Sequence, residues 1–379
     1  MNLIAPFGFY GWGNIGDEST LQGFARLLSH YNNGIRVWVA SRNPAHTKRV
    51  EQRFKYFSPV GHDPWRRWAK YRSKACVIPG GTPIMDVLGK WPLSELTPII
   101  QAAGEQGKPV VFVGTGTERL MREESKRILR NIIAPSVLGW SVRCERDKER
   151  LIEYGVPGEE ITVAADLAWI LDGVSVAYGK EYLSSLNVES GPGLVGVNIN
   201  NESFMHEKEP HFFEKLAEFL DVIIERFDYR ILFLCNEVRE DDMFDKFASQ
   251  KVLSFMNYRD KAFLVPNNYW APQNMLSLIG CCSLTIGTRY HFCLFSALQN
   301  VPFIAIKRSG KVDDLCWDMN WPYGLPLTAL DVSNLLEMVL GVRQRAASLD
   351  GFLKERVQVM KQRVIKNAIP LDTLEARTA

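Results

Sequence analysis

Nowhere do the 379 residues reach roughly 18 uninterrupted apolar positions, so no segment is expected to span a membrane. A basic leader is missing as well. Met1-Asn2-Leu3-Ile4-Ala5-Pro6 has neither the charged start nor the long apolar run of a signal peptide. Charge of one sign is not in excess. A net charge of +2 leaves no global field to collect nucleic acid, and no nucleic-acid partner is expected. Paired Cys-x-x-Cys spacing is absent too, so no metal site is expected. The seven cysteines, Cys76, Cys144, Cys235, Cys281, Cys282, Cys293 and Cys316, are odd in number and mostly lie in apolar runs. They read as buried thiols of a reducing compartment, the cytoplasm. Low-complexity tracts and internal repeats are not visible.

What is present is the make-up of a globular protein, 46% hydrophobic and 23% charged, in a chain long enough for two domains. Short β-branched runs alternate with amphipathic stretches, the pattern of parallel sheets covered by helices. Expected strands are Leu3–Phe9, Ile35–Ala40, Ala75–Ile78, Val110–Val113, Leu138–Ser141 and Ile161–Ala164, with helices such as Ser19–His30 and Arg119–Ile133 between them. After a polar break at 172–193 the alternation restarts with strands Leu194–Ile199, Arg230–Cys235, Leu284–Gly287 and Phe303–Ile306. Phe212, Phe213, Leu216, Phe219, Leu220, Ile223 and Ile224 form a helical stripe. The fold class is α/β: two Rossmann-type doubly wound domains with a cleft between them. Their expected limits are 1–175 and 190–345, followed by a helical tail at 346–379.

The stretch from Leu284 to Lys311 is the most informative. A strand ends in Gly287-Thr288-Arg289-Tyr290-His291, a helix follows, and the next strand ends near Lys307 and Lys311. Ligands of open α/β sheets bind beyond the carboxyl ends of strands. An arginine fork suits a carboxylate or phosphate, and a histidine can move a proton near neutral pH. The stretch reads as a site for a small polyanion; an ordinary helix start with a surface Arg and His would look the same.

The first strand runs into Gly11-Trp12-Gly13-Asn14-Ile15-Gly16-Asp17, which spells the dinucleotide fingerprint G-x-G-x-x-G. A nicotinamide or flavin cofactor is nevertheless not expected. Asp17 would set a negative charge near a pyrophosphate, and the second strand ends in Ala40-Ser41-Arg42 without an acid for a ribose. Arg42 alone would favour the phosphorylated cofactor. Three further junctions carry glycines or arginine: Pro79-Gly80-Gly81-Thr82 with Asp86 beyond, Gly114-Thr115-Gly116-Thr117, and Ser141-Val142-Arg143. Such glycines let backbone amides approach a ligand, or merely punctuate loops.

Taken in order, these junctions resemble the polysaccharide pyruvyl transferase family. The resemblance runs from Asn14-Ile15-Gly16-Asp17 through Gly80-Gly81, Gly114-Thr115-Gly116, Ser141-Val142-Arg143-Cys144 and Asp166-Leu167-Ala168-Trp169. It ends at Arg289, His291, Val301-Pro302 and Lys311, covering about residues 8–325. Departures are Cys144 in place of an aspartate, Thr82 in place of a third glycine, and Cys281-Cys282 where an acid often stands. The resemblance implies a GT-B-like fold and a transfer of pyruvate, as a ketal, from phosphoenolpyruvate to two sugar hydroxyls. The first domain is then the acceptor side and the second the phosphoenolpyruvate side. The reaction needs a general acid and a general base, and His291 and Asp17 are the candidates, with the order between them open. Arg289, Arg143, Lys311, Tyr290, Asn14, Gly80, Gly81 and Thr115 would bind substrate, without a cofactor. The acceptor would be a glycan or lipid-linked oligosaccharide of the cell envelope. Two alternatives stand beside it. One is a nucleotide-sugar glycosyltransferase using Glu237 toward a ribose; the other is a non-catalytic carbohydrate-binding member.

The stretch from Asp63 to Lys74 interleaves five basic residues with Trp65, Trp68 and Tyr71. It reads either as a peripheral contact with the inner face of a membrane or as a helix whose Trp65 and Trp68, at i and i+3, belong to the core.

Overall fold

The computed structural model describes residues 1–31, 34–87, 89–241 and 244–378. Two compact units divide the chain. The first comprises Met1–Trp12, Asp17–Leu171 and Val359–Ala379, the second Gly13–Gly16 and Asp172–Gln358. Among the described residues no helix is long and apolar enough to cross a membrane.

In the first unit, strands β1 (Asn2–Ala5), β2 (Arg36–Ala40), β3 (Lys55–Phe57), β4 (Ala75–Pro79), β5 (Val110–Thr115), β6 (Val137–Val142) and β7 (Ile161–Val163) form one sheet in the order β3-β2-β1-β4-β5-β6-β7. Every pairing is parallel. β4 and β5 are buried throughout, as unbroken apolar runs require when helices cover both faces. Ile78, Phe112 and Trp140 stack into the core beside Leu96, Ile100 and Leu129. The strand order reverses between β1 and β4.

In the second unit, β8 (Leu194–Asn198), β9 (Arg230–Phe233), β10 (Ala262–Leu264), β11 (Leu284–Gly287), β12 (Phe303–Lys307) and β13 (Gly324–Pro326) form a parallel sheet in the order β10-β9-β8-β11-β12-β13. Here the reversal lies between β8 and β11. The helix expected from the phenylalanine stripe spans Phe212–Phe227 and buries that stripe.

Several expectations shift. The first strand stops at Ala5, before Pro6, which has no N–H to pair. The helix expected from Arg119 begins only at Glu123. The amides of Met121 and Arg122 are drawn out of helical bonding by the Asp86 carboxylate, at 2.9 and 2.8 Å, and Leu120 N–H reaches the Tyr154 hydroxyl at 2.9 Å. The edge strands β3, β10 and β13 were not expected; each has three residues. Nor is the tail separate. The helix Ala346–Val364 straddles the division. Arg363 in its last turn donates to the carbonyls of Ala164 and Arg143, Asn367 beyond it donates to that of Ala165, and the helix Ile369–Thr378 packs on β5 and β6. All seven cysteines are free and buried, which fits the thiols expected inside apolar runs.

Candidate active site

The site builds up at the reversal of the second sheet. Past β11 the chain cannot continue as strand, and Thr288 anchors it sideways. Its N–H donates to the Asn198 carbonyl at 3.0 Å and its hydroxyl to Asn200 Oδ1 at 2.9 Å. Arg289 follows in extended conformation, immediately before the helix Tyr290–Leu298. Its Nε and Nη2 lie 2.7 and 2.5 Å from Asp245 Oδ1. Asp245 is wholly buried, and its other oxygen accepts Asn198 Nδ2 at 2.8 Å, Asn236 N–H at 2.8 Å and Glu237 N–H at 3.2 Å. One carboxylate thus gathers the exits of β8, β9 and β11. Burial disfavours the Arg289 charge, but Asp245 and then Glu237 raise its pKa, so the cation persists.

Two more cations stand beyond β12. Arg308 is buried, donates from Nε to the Thr288 carbonyl at 2.9 Å, and pairs with Glu202. Lys311 lies in the first turn of the helix Gly310–Asp318. Burial would push the Glu202 carboxyl up, yet Arg308, Lys311 and Arg289 together hold it below its ordinary range. Lys307 is turned aside to Asp313, 2.8 Å away. Sequence reasoning missed Arg308 and Asp245. Lysines stood near the first, and the second was one acid among several, with Glu240 and Asp241 just before it, so neither carried a signal.

His291 lies in the first turn after Arg289, its ring edge-on to Tyr290 at 5.1 Å. Gly16 sits against it. A Cβ on Gly16 would come 2.2 Å from His291 Nδ1, which only glycine permits. The segment Gly13–Gly16 is held by the exit of β9: Ile15 N–H donates to Asn236 O and Val238 N–H to Gly13 O, both at 2.9 Å, and Asn14 bridges to Glu237. Asn14 Oδ1 accepts Gly16 N–H at 2.9 Å at the head of the helix Ile15–Tyr31. The structure therefore brings Asn14, Arg289, Tyr290, His291 and Lys311 into the second unit. Glu237, suggested for a ribose, is buried and bonded to Arg239 Nε at 2.8 Å.

The other expected site residues fall in the first unit. Asp17 occupies the first turn of Ile15–Tyr31, where the helix dipole favours an acid. Arg143 is buried, with Nε 2.7 Å from Asp166 Oδ2 and Nη1 3.4 Å from the Thr82 hydroxyl. Its charge is matched by Asp166 within the unit, as that of Arg289 is by Asp245. Gly80 and Gly81 both have positive φ. A Cβ on Gly80 would overlap Thr20, and its amide donates to the Val113 carbonyl at 2.8 Å. That amide belongs to the sheet and not to a ligand. Gly81 O accepts Gly116 N–H at 2.9 Å, and Thr115 is buried at the end of β5. The glycines of the fingerprint also have local causes. At Gly11, φ is +76° and a Cβ would meet the Asn43 backbone at 2.3 Å, while Gly11 N–H donates to the buried Glu18 at 2.7 Å. Burial first, then Asp17 and Glu18, raise the pKa of Tyr10, leaving a phenol that donates to the Pro79 carbonyl.

Structural comparison shows the same fold in HepE and in UDP-GlcNAc 2-epimerases. HepE of Anabaena in complex with UDP-glucose aligns with TM-score 0.64 and 14% identity, over 99% of each chain. UDP-GlcNAc 2-epimerase of Neisseria meningitidis, bound to UDP-GlcNAc, aligns with TM-score 0.65 and 9% identity over 99% of this chain and 100% of that one. The corresponding epimerase of Methanocaldococcus jannaschii gives 0.61 and 12% over 89% and 92%. These likenesses establish a GT-B-like fold. By sequence, no curated protein matches. The model of polysaccharide pyruvyl transferases matches residues 14–310, from Asn14 to the start of the helix bearing Lys311, and the chain belongs to that family.

Proposed function

We propose that this protein transfers pyruvate from phosphoenolpyruvate to two hydroxyls of a glycan, forming a cyclic ketal. Membership of the family supports pyruvyl transfer to polysaccharide as the general activity. The observation that carries the donor assignment is the group beyond β11 and β12: Arg289, Arg308 and Lys311 around a buried acidic frame, with His291 in the next turn. Phosphoenolpyruvate presents a carboxylate and a phosphate a few bonds apart, and arginine forks read both.

The chemistry balances without a redox partner. A proton goes to the terminal enol carbon, and positive charge develops on the carbon bearing the carboxylate and the phosphate ester. One sugar hydroxyl adds there, phosphate departs, and a second hydroxyl closes the ring. Two hydroxyl protons are released overall, one balanced by the carbon protonation and one passing to phosphate or solvent. His291 supplies the acid, in keeping with its place beside the cation group. Asp17, adjoining Gly16 in the chain, serves the acceptor hydroxyl as base. No nicotinamide or flavin enters the scheme.

The test is release of inorganic phosphate from phosphoenolpyruvate that depends on a glycan acceptor, with an acid-labile mass gain on the sugar. Arg289→Ala should weaken donor binding by about 2–5 kcal/mol. His291→Asn should lower turnover roughly 10²–10⁴-fold with little change in donor binding. Transfer of a hexose from a nucleotide sugar instead, or variants indistinguishable from the parent, would overturn the reading.

A further inference from the structure

The helix Pro64–Arg72 does not behave as a core helix. Its one buried residue is Ala69. Trp65 is 55% exposed, Trp68 45% and Tyr71 84%, which overturns the reading of Trp65 and Trp68 as a buried stripe. Trp65 stacks on the buried Trp38 and Trp68 tilts against it, with ring centroids at 6.0 and 5.2 Å, and both rings stay about half exposed. Exposed apolar rings in such number on nine residues are costly unless something covers them.

Charge says what covers them. Arg66, Arg67, Lys70, Arg72 and Lys74 crowd this stretch, and its single acid, Asp63, is occupied in accepting the Ser58 and Trp65 amides at 2.7 and 2.9 Å. The whole chain carries only +2, so the stretch concentrates positive charge that the rest of the molecule cancels. Arg72 rides over the Trp68 ring at 5.1 Å. Beside the helix opens a pocket of about 300 Å³. Phe57, Ile99 and Ala102 line it, with Arg66, Lys70 and Lys108 among its polar walls. Tryptophan and tyrosine with interleaved Arg and Lys match the interface of an anionic bilayer, where rings sit at headgroup depth and cations meet phosphate. A nucleic-acid strand would want a groove along which bases stack in sequence, and a nine-residue convex helix offers none.

We infer that the helix Pro64–Arg72 and its adjoining pocket dock this protein on an anionic lipid surface. The inference is independent of the reaction proposed above, because it is read without any turnover. The full chain is sedimented with vesicles of phosphatidylcholine alone and with vesicles containing phosphatidylglycerol. Binding should require the anionic lipid, weaken with salt, and blue-shift tryptophan emission. Each cation near such a surface is worth about five-fold in binding. Arg67→Glu/Arg72→Glu should therefore lose at least about 25-fold with an unchanged melting temperature. Tyr71→Ser, which removes only an exposed ring, should lose several-fold at raised salt. Absence of binding, equal binding to neutral vesicles, indifference to both variants, or binding of an RNA oligonucleotide in place of vesicles would overturn the inference.

Discussion

Gly16 carries no side chain because His291 occupies the space one would need. That contact makes a remote-looking glycine part of how the histidine is aimed. Gly16→Ala is expected to cost roughly 100-fold in turnover, from displacing the ring proposed above as the acid by about 1 Å. Stability should fall by roughly 1–3 kcal/mol, since the added methyl overpacks the contact with His291 and the helix propensity of alanine offsets only part of that. Steady-state kinetics beside a thermal melt would show both losses. A second residue sets a pH limit. Burial first, and the nearby Arg49, lower the His46 pKa from its ordinary value to about 4. The unfolded chain protonates this imidazole below pH about 6.5, whereas the folded chain refuses the proton until about 4. Stability from this group is therefore intact above 6.5 and lost as pH falls between those values. In His46→Gln, melts recorded across that window should fall less steeply than those of the parent.

At the scale of elements, Asp245 is the joint of the second sheet. It holds a side chain from the end of β8, two amides after β9 and the guanidinium after β11. Removing one partner of a buried ion pair costs roughly 3–5 kcal/mol, because the other charge stays buried alone. Asp245→Ala should show that loss in denaturant unfolding, and hydrogen exchange should place it at the carboxyl ends of β8 and β11. The first sheet has a counterpart in Asp86, whose oxygens pull residues 121 and 122 out of the helix expected there.

At the scale of the molecule, the two units are assembled from interrupted sequence. Residues 359–379 belong with the sheet of the first 171, not with the segment they follow. Leu371 and Leu374 are fully buried there. Each buried leucine contributes about 1.5–3 kcal/mol, so a chain ending at Val364 should lose at least about 3–6 kcal/mol from the first unit. Hydrogen exchange should then show lost protection in β5 and β6 while β8 and β11 keep theirs.

Local chemistry made much of this legible. Short apolar, β-branched runs between turn residues, such as Val110–Val113 and Leu284–Gly287 with its one threonine, read as strands covered on both sides, and the stripe from Phe212 to Ile224 reads as a helix. Arg289 and His291 were legible because an apolar strand ended in a polar turn before an apolar helix, an order that places both at a sheet's carboxyl edge. Partnership was not legible, since it depends on residues far apart in the chain. Arg143 and Arg289 both look unpaired in the sequence until Asp166, 23 positions after the one, and Asp245, 44 positions before the other, are seen bonded to them. Arg308 was hidden between two lysines, and three-residue edge strands such as Lys55–Phe57 have too few side chains to show a period. Trp65 and Trp68 fit a buried stripe and a solvent face equally well by spacing. Only packing decides, because i and i+3 name one side of a helix without saying what lies against it.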